Sequence, residues 1–418
     1  MLKRTVSLLS GSVDEAEIFW YARVYPGIRR GTVVLSGGRF AGYDRYGSYR
    51  KMLIGNSSIC NKRSRISTNR HYRKGNANMA KVTMADVARE AGVSKSTISQ
   101  YLNGRYEYMS AATRERIAAA IGELDYRPNI LARGLKQKRT FTIGVIVANM
   151  LHHFSIEICR GIESYCREQG ISVILCNTDE DQNREQNDLE MLRSKQVDGV
   201  IAFPSGPLTP VYRKLVEEKF PLVFIDRKLD DVPVNRVVVE NEQAAHEATT
   251  HLIGSGYKRI AMLTAPLSIS TRLERVEGYR RAMQEQLPQI EPLVISEEVS
   301  QLKQRLMELE QQNALPEAII AGNDLVLLEA LAFLKEKGLQ IPRDMALIVF
   351  DNIPFAELLT PTLSTIVQPA HEMGREAAAM LLADIEAESR KQEWPPIQEK
   401  QFSCRLMIRE SSGPAVPI

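Results

Sequence analysis

Val82–Gly104 reads VTMADVAREAGVSKSTISQYLNG, and no other stretch of the 418-residue chain says more about its fold. Thr83 followed three residues later by Asp86 is a helix-start signature: the hydroxyl takes an orphan amide and the carboxylate reaches back to the Thr amide. Met84, Val87 and Ala88 then share one face of a short helix, and Ala91-Gly92 supplies the small residues a tight turn demands. Ser94 caps a second helix whose Ile98 and Leu102 point inward. Lys95, Ser96, Ser99 and Gln100 are left on the outer face, with Thr83, Thr97 and Asn103 completing the set expected to touch DNA. Short or hydrogen-bonding side chains at helical spacing suit a helix lying in the major groove. The pattern predicts a helix-turn-helix.

The next segments extend the pattern. SAATRERIAAAIGELDY predicts a third helix with Ser110 as cap and Ile117, Ile121 and Leu124 on the buried face. YRPNILARGLKQKRTFTIGVIV continues from there. Pro128 ends one element, Asn129 can cap another, and Ile130 to Lys136 make a helix of about two turns, too short to be stable alone. Gly134 lowers its helix propensity by roughly 1 kcal/mol relative to Ala. Taken in order, these motifs resemble the LacI/GalR family of bacterial transcriptional regulators over about Val82 to Ser411. The likeness extends to regulators of the sugar-acid-responsive kind. It implies that the two-turn helix is a hinge. In a homodimer two such hinges would pair in the minor groove and lever Leu135 between base pairs, an apolar wedge that kinks the duplex. It further implies DNA contacts from Tyr126, Asn129, Ala132 and Arg133.

Charge divides along the chain. Residues 1–78 carry 15 basic and 4 acidic side chains (net +11), residues 79–139 carry 11 and 6 (net +5), and residues 140–418 carry 28 and 41 (net −13). A basic module ahead of an acidic one suits nucleic acid at one end only. Residues 1–78 show no periodicity and no apolar run long enough for a signal peptide or a spanning helix. They read either as a disordered basic arm adding phosphate contacts or as an over-called start. Met79 is the favoured beginning, because MAKVTMADVA resembles an amino terminus of this family. The expected organisation is thus an extension (1–78), a helix-turn-helix domain (79–127), a hinge (128–139) and a sensor (140–418).

From Thr142 onward, apolar runs alternate with amphipathic helices: IGVIVAN, ISVILCN, DGVIAFP, PLVFIDR, RIAMLTA, AIIAGND and ALIVFDN. Such runs predict parallel strands buried on both faces. The fold class expected is a small all-α helix-turn-helix domain plus an α/β periplasmic-binding-protein-like sensor of two doubly wound parallel-sheet subdomains. Ligands in such sheets bind beyond the carboxyl ends of strands. Asn149, Asp226-Arg227, Asn323-Asp324 and Asp351-Asn352 end runs there, and Arg272 and Arg275 follow the fifth across a short loop. Carboxylates and amides grip vicinal hydroxyls, and an Arg fork suits a carboxylate or polyol. Alone, each of these residues reads equally well as a turn former or helix cap. The resemblance implies an effector site of Asn149, Phe154, Asp226, Arg275, Asn323, Asp351 and Gln368. Members often have Asn-Pro-Phe after the first strand. Here Met150-Leu151-His152-His153-Phe154 stands instead, and two histidines beside two arginines point to an anionic sugar acid.

Five cysteines without a C-x-x-C pair read as reduced thiols of a cytoplasmic protein. His246 and His251 stand five apart, not the four of a zinc helix, so no metal is expected. No phosphate loop, dinucleotide fingerprint or nucleophile elbow occurs, so neither catalysis nor a cofactor is expected. One recognition helix reads few base pairs, which calls for a homodimer on a palindromic double-stranded operator. After FSCRLMIRES only Ser412–Ile418 remain, with no leucine heptad for tetramers. The reading is a cytoplasmic repressor of carbohydrate or sugar-acid catabolism genes. It associates with the nucleoid when operator-bound, touches no membrane, and is controlled by a small-molecule effector. The alternative is a periplasmic-type sugar-binding protein without a DNA role, which would need an export signal and no helix-turn-helix.

Overall fold

The computed structural model describes residues 32–35, 39–42, 82–102, 104–107, 109–126, 139–206 and 208–414. The hinge residues Asn129, Ala132, Arg133 and Leu135, and Asn103 after the recognition helix, lie outside these. In the basic extension, to which composition assigns no fold, β1 (Thr32–Leu35) and β2 (Arg39–Gly42) pair antiparallel. Val33, Val34 and Leu35 favour a strand.

The first helices follow their punctuation. α1 (Met84–Glu90) starts where the Asp86 carboxylate accepts from the Thr83 amide at 2.9 Å and the Thr83 hydroxyl at 2.7 Å. It stops at Gly92, whose φ of +64° places it in the left-handed region. There the Gly92 amide donates to Arg89 O and the Val93 amide to Ala88 O, a Schellman closure. A Cβ at Gly92 would meet nothing closer than 3.7 Å, so backbone conformation rather than space demands glycine. α2 (Lys95–Leu102) is capped by Ser94, whose Oγ accepts from the Thr97 amide at 3.1 Å. Ser110 does the same for Thr113 at the start of α3 (Ala111–Glu123). Val87, Ala88, Ile98, Met109, Ile117, Ala120 and Tyr126 close a small core between the three helices.

Beyond residue 139 lie two six-stranded sheets. The first has the order β13-β7-β6-β5-β3-β4, built from β3 (Thr142–Val147), β4 (Ser172–Asn177), β5 (Val200–Ala202), β6 (Leu222–Ile225), β7 (Asn235–Val239) and β13 (Glu399–Phe402), all parallel. Ile143, Val145 and Val147 face α4 (His153–Glu168) and α11 (Ala370–Arg390). Ile146 alternates to the other face, against α5 (Gln182–Ser194) and α6 (Thr209–Glu217). The second sheet, β14-β12-β11-β10-β8-β9, comprises β8 (Ile260–Thr264), β9 (Leu293–Ser296), β10 (Ala318–Ala321), β11 (Ala346–Phe350), β12 (Ser364–Val367) and β14 (Arg405–Met407). It packs α7 (Asn241–Gly254) and α8 (Ser270–Gln286) on one face, α9 (Val299–Gln311) and α10 (Asp324–Lys337) on the other. The chain passes between subdomains after β7, after β12 and between β13 and β14.

The seven apolar runs are all strands. The sequence pattern missed β7, β9, β12 and β13, and β14 departs from the all-parallel expectation by running antiparallel to β12. These are mostly short or outer strands. β13 is almost wholly exposed, so no hydrophobic run marks it.

Two helix pairs approach at glycine. A Cβ on Gly161 of α4 would lie 2.1 Å from His371 O, and one on Gly374 of α11 would lie 2.2 Å from Ile158 O. On α8, a Gly278 Cβ would lie 1.9 Å from Glu242 O of α7. Cys159, Cys166 and Cys176 are buried and free, and Cys404 is half-buried and free. Burial pushes the Cys159 thiol up to about 12, which keeps it protonated and unreactive. Among the described residues no helix is long and apolar enough to cross a membrane.

Candidate functional site

Two regions gather the predicted side chains. The first is α2. Ile98 is buried beneath it, while Lys95, Ser96 and Gln100 are exposed and Thr97 and Ser99 half-exposed. Ser94 Oγ lies 2.6 Å from Ser96 Oγ and 2.8 Å from Thr97 Oγ1, so these hydroxyls are pre-oriented around the helix start. Thr83 spends its hydroxyl on Asp86. Tyr126, expected to touch DNA, is only 8 % exposed and packs in the three-helix core.

The second region is the line along which the two subdomains meet, at the carboxyl ends of their strands. Arg275, on α8, is buried and held on three sides. Nε donates to Asn241 Oδ1 at 2.8 Å, Nη1 to Gly322 O at 2.6 Å, and Nη2 to Gln368 Oε1 at 3.5 Å. Its guanidinium lies 4.1 Å from the Phe350 ring centroid. Gln368 in turn donates from Nε2 to Asp351 Oδ1 at 2.6 Å. Arg275, Gln368 and Asp351 therefore form one buried chain. Burial pushes the Asp351 carboxyl above its ordinary range, opposed by the Arg275 charge.

Across the cleft, Glu180, just beyond β4, accepts from Arg227 Nη2 at 2.9 Å and from Arg272 Nη2 at 2.9 Å. Burial would raise its carboxyl, but the two guanidinium groups win and hold it down at about 2. Asp226 is half-buried at the end of β6, with Oδ1 shut off from solvent, and desolvation pushes its carboxyl upward against the pull of Arg227, Arg275 and His152. Its Oδ1 has no hydrogen-bond partner, nor do Nε and Nη1 of Arg227. Asp226 and Asp351 sit at φ of 67° and 89°, and Glu180 at 61°. Non-glycine residues in the left-handed region cost of order 1–3 kcal/mol each and tend to cluster where side chains must be aimed at a ligand.

His152 Nδ1 lies 2.5 Å from Asp324 Oδ1, and the two residues belong to different subdomains. Donor atoms of His152, Asp324 and Asp351 fall within 4.8 Å of one another, the one grouping of potential metal ligands among the described residues. Oxygens in it are already engaged, Asp324 Oδ1 by His152 and Asp351 Oδ1 by Gln368, so it reads as a hydrogen-bond network. His246 pairs with Glu285 and His251 with Ser412, in different directions.

Of the predicted effector residues, Arg275, Gln368, Asp351 and Asp226 share this buried cluster. Asn149 and Asn323 turn inward to the backbone instead: Asn149 Oδ1 accepts from the Leu151 amide, and Asn323 Oδ1 caps α10 through the Val326 amide. Phe154, 9 % exposed, packs in the core between α4 and its sheet, which corrects its expected role as a stacking platform. Sequence reasoning left out Glu180 and Asn241, and placed His152 near the pocket without counting it among the site residues. Glu180 lies three residues beyond Asn177, outside the short window at each strand end where ligand-binding groups are expected.

Comparison with known proteins agrees with this architecture. Residues 140–409 match the model for periplasmic binding proteins and the sugar binding domain of the LacI family, and residues 83–129 match that for bacterial regulatory proteins of the lacI family. The chain is 40% identical over 315 residues to a probable HTH-type transcriptional regulator, EndR, of Paenibacillus polymyxa, covering 74% of this chain and 93% of that protein. It is 36% identical to the HTH-type transcriptional regulator KdgR of Bacillus subtilis, over 73% and 92% of the two chains. Among solved structures it is similar to the Lac repressor dimer bound to operator and the anti-inducer ONPF. The TM-score there is 0.67 and the identity 27%, covering 79% of this chain and 99% of that one. A helix-turn-helix, two interleaved and mostly parallel sheets and relatives matched over most of their length lead to one assignment: the chain is a DNA-binding transcriptional regulator of the LacI family.

Proposed function

We propose that the protein represses carbohydrate or sugar-acid catabolism genes as a homodimer on a palindromic operator, and that a sugar or sugar acid bound in the inter-subdomain cleft controls it. It performs no catalysis in this reading. The observation that carries the effector is a pair of opposite charges at the end of β6 with buried atoms that lack hydrogen-bond partners: Arg227 Nε and Nη1, with Nε 3.6 Å from Asp226 Oδ2, and Asp226 Oδ1. Buried donors of a guanidinium call for an acceptor such as a carboxylate, and a buried carboxylate oxygen calls for a hydroxyl. A hydroxy acid offers both. Effector binding that favours one cleft geometry over another shifts the operator-competent population by that difference in affinity. A thermal-shift screen of sugars, sugar acids and purines tests the class. Stabilisation by sugar acids supports it, and stabilisation by purines alone would overturn it.

The exposed face of α2 is proposed to read the operator. Lys95→Ala is expected to weaken binding nearly uniformly across sequences and to lower the salt slope by about 1, as loss of one phosphate contact does. Gln100→Ala is expected to cost about 1–3 kcal/mol and to relax preference at one base pair of each half-site. Fluorescence anisotropy against operator variants at several salt concentrations separates the two. Identical behaviour of both variants would contradict this division of labour.

A further inference from the structure

Helices α4 and α10 begin on opposite sides of the cleft, and one carboxylate serves both starts. Asp324 Oδ2 accepts from the His153 amide at 3.1 Å, in the first turn of α4, and Oδ1 accepts from the Leu325 amide at 2.8 Å, in the first turn of α10. Helix N-termini carry orphan amides and the positive end of the dipole, so two of them repel unless an anion stands between. His152, the N-cap residue of α4, adds a side-chain link to the same carboxylate at 2.5 Å. The two side chains are 12 % and 16 % exposed.

We propose that His152 and Asp324 form a proton-controlled clasp that sets how far the cleft closes, so that pH tunes this regulator's response to its effector. The inference rests on the cleft being the effector site and adds a regulatory input to it. Other cross-cleft links surround the clasp: Glu180 with Arg272, Lys228 Nζ with Glu274 at 2.7 Å, and the Lys228 amide with Ser270 Oγ at 3.1 Å. Carboxylates, lysines and arginines do not ordinarily change charge near neutrality. The imidazole does.

The groups facing His152 are mostly anionic. Asp324 comes from α10, Asp351 from beyond β11, Glu180 from beyond β4 and Asp226 from beyond β6. The Arg227, Arg272 and Arg275 guanidinium groups belong to the same cluster, and His153 with Glu157 lies on the histidine's own helix. Burial disfavours the imidazolium, but the Asp324 hydrogen bond and the charges of Asp324, Asp351 and Glu180 outweigh it and raise the pKa of His152. Opening the cleft removes Asp324 and returns the ring to its ordinary value of about 6.5. Closure therefore takes up a proton. The clasp is fully engaged below about pH 6.5 and is lost as pH rises through the higher closed-state value.

The test uses the full, effector-free chain with a fluorophore pair at the exposed positions Gln186 and Lys335, one per subdomain. The closed-to-open ratio should fall several-fold from about pH 6 to about pH 8, and His152→Gln should flatten that profile. A pH-independent distance in the wild type, or an unchanged profile in His152→Gln, would overturn the clasp. Imidazole titration by NMR, with the His152 resonance assigned by its loss in His152→Gln or by selective labelling, gives a second reading. A value above the ordinary one supports the proposal, and an ordinary or lower value contradicts it. Because no effector is added, failure here leaves the effector reading intact. Loss of that reading in the ligand screen likewise leaves this result standing.

Discussion

Arg275→Ala is expected to abolish the effector response and to weaken the sensor fold. The side chain is buried, and it ties α8 to three other parts of the sensor: Asn241 at the start of α7, Gly322 after β10, and Gln368 after β12. Hydrogen bonds to charged groups are worth roughly 1.5–3 kcal/mol each, and a truncated partner leaves buried acceptors unpaired. Two bonds of this strength made to a bound effector, and lost with the guanidinium, would put effector affinity down by about 100-fold or more. The variant also removes one of the charges that oppose burial at Asp226, where Arg227 is the larger, and the main one at Asp351, so both carboxyls move further toward the protonated form. Arg275→Lys should not rescue it, because a single ammonium cannot reproduce the fork or the stacking on Phe350. Calorimetric titration with an effector from the screen, together with thermal unfolding, measures both effects. An effector that binds Arg275→Ala with wild-type affinity would place the pocket elsewhere.

Gly278→Ala should produce the largest loss from the smallest change. One turn beyond Arg275 on α8, Gly278 lets the helix approach α7 so closely that an added Cβ would sit 1.9 Å from Glu242 O. No rotamer relieves this overlap, because the obstructing atom is backbone. Overpacking that side chains can absorb costs about 1–3 kcal/mol; here α7 and α8 must separate, so the upper end or more is expected. Separation also pulls Arg275 from Asn241, now 2.8 Å away, so effector affinity should fall together with stability. Gly254→Ala is the matched control: it is helical, exposed, and has nothing within 4 Å of its added Cβ. It should be neutral or gain up to about 1 kcal/mol. Denaturant unfolding of both variants gives the comparison, and equal midpoints would contradict the close approach.

Parts of the molecule that depend on local chemistry are legible in the sequence alone. The Thr83–Asp86 pairing, the Gly92 stop and the Ser94 cap each involve neighbours within five residues, and each forms as the spacing requires. Central strands are legible because burial on both faces leaves continuous Val, Ile and Leu. Outer strands are not, since β13 (EKQF) exposes nearly every side chain and β12 (STIV) is too short to show a pattern. The cleft is half legible. Strand ends locate Asp226 and Asp351, and the family resemblance locates Arg275, but the strand-end rule cannot separate the first two from Asn149 and Asn323, which spend their side chains on nearby amides. Phe154 shows the converse limit: an aromatic at a strand–helix junction looks like a platform until helix phase turns it into the core. The contact between His152 and Asp324 spans 172 residues of sequence, and only the folded topology joins them.

If this chain reads a palindrome under small-molecule control, selection of bound sites from random double-stranded DNA by the full chain will show it. The selection is repeated with a sugar acid that stabilises the protein. Enrichment of a two-fold symmetric site with half-sites about one helical turn apart is expected, with loss of that enrichment in the presence of the sugar acid. Recovered DNA no different from the input, or a symmetric site whose recovery no sugar or sugar acid alters, would contradict that control.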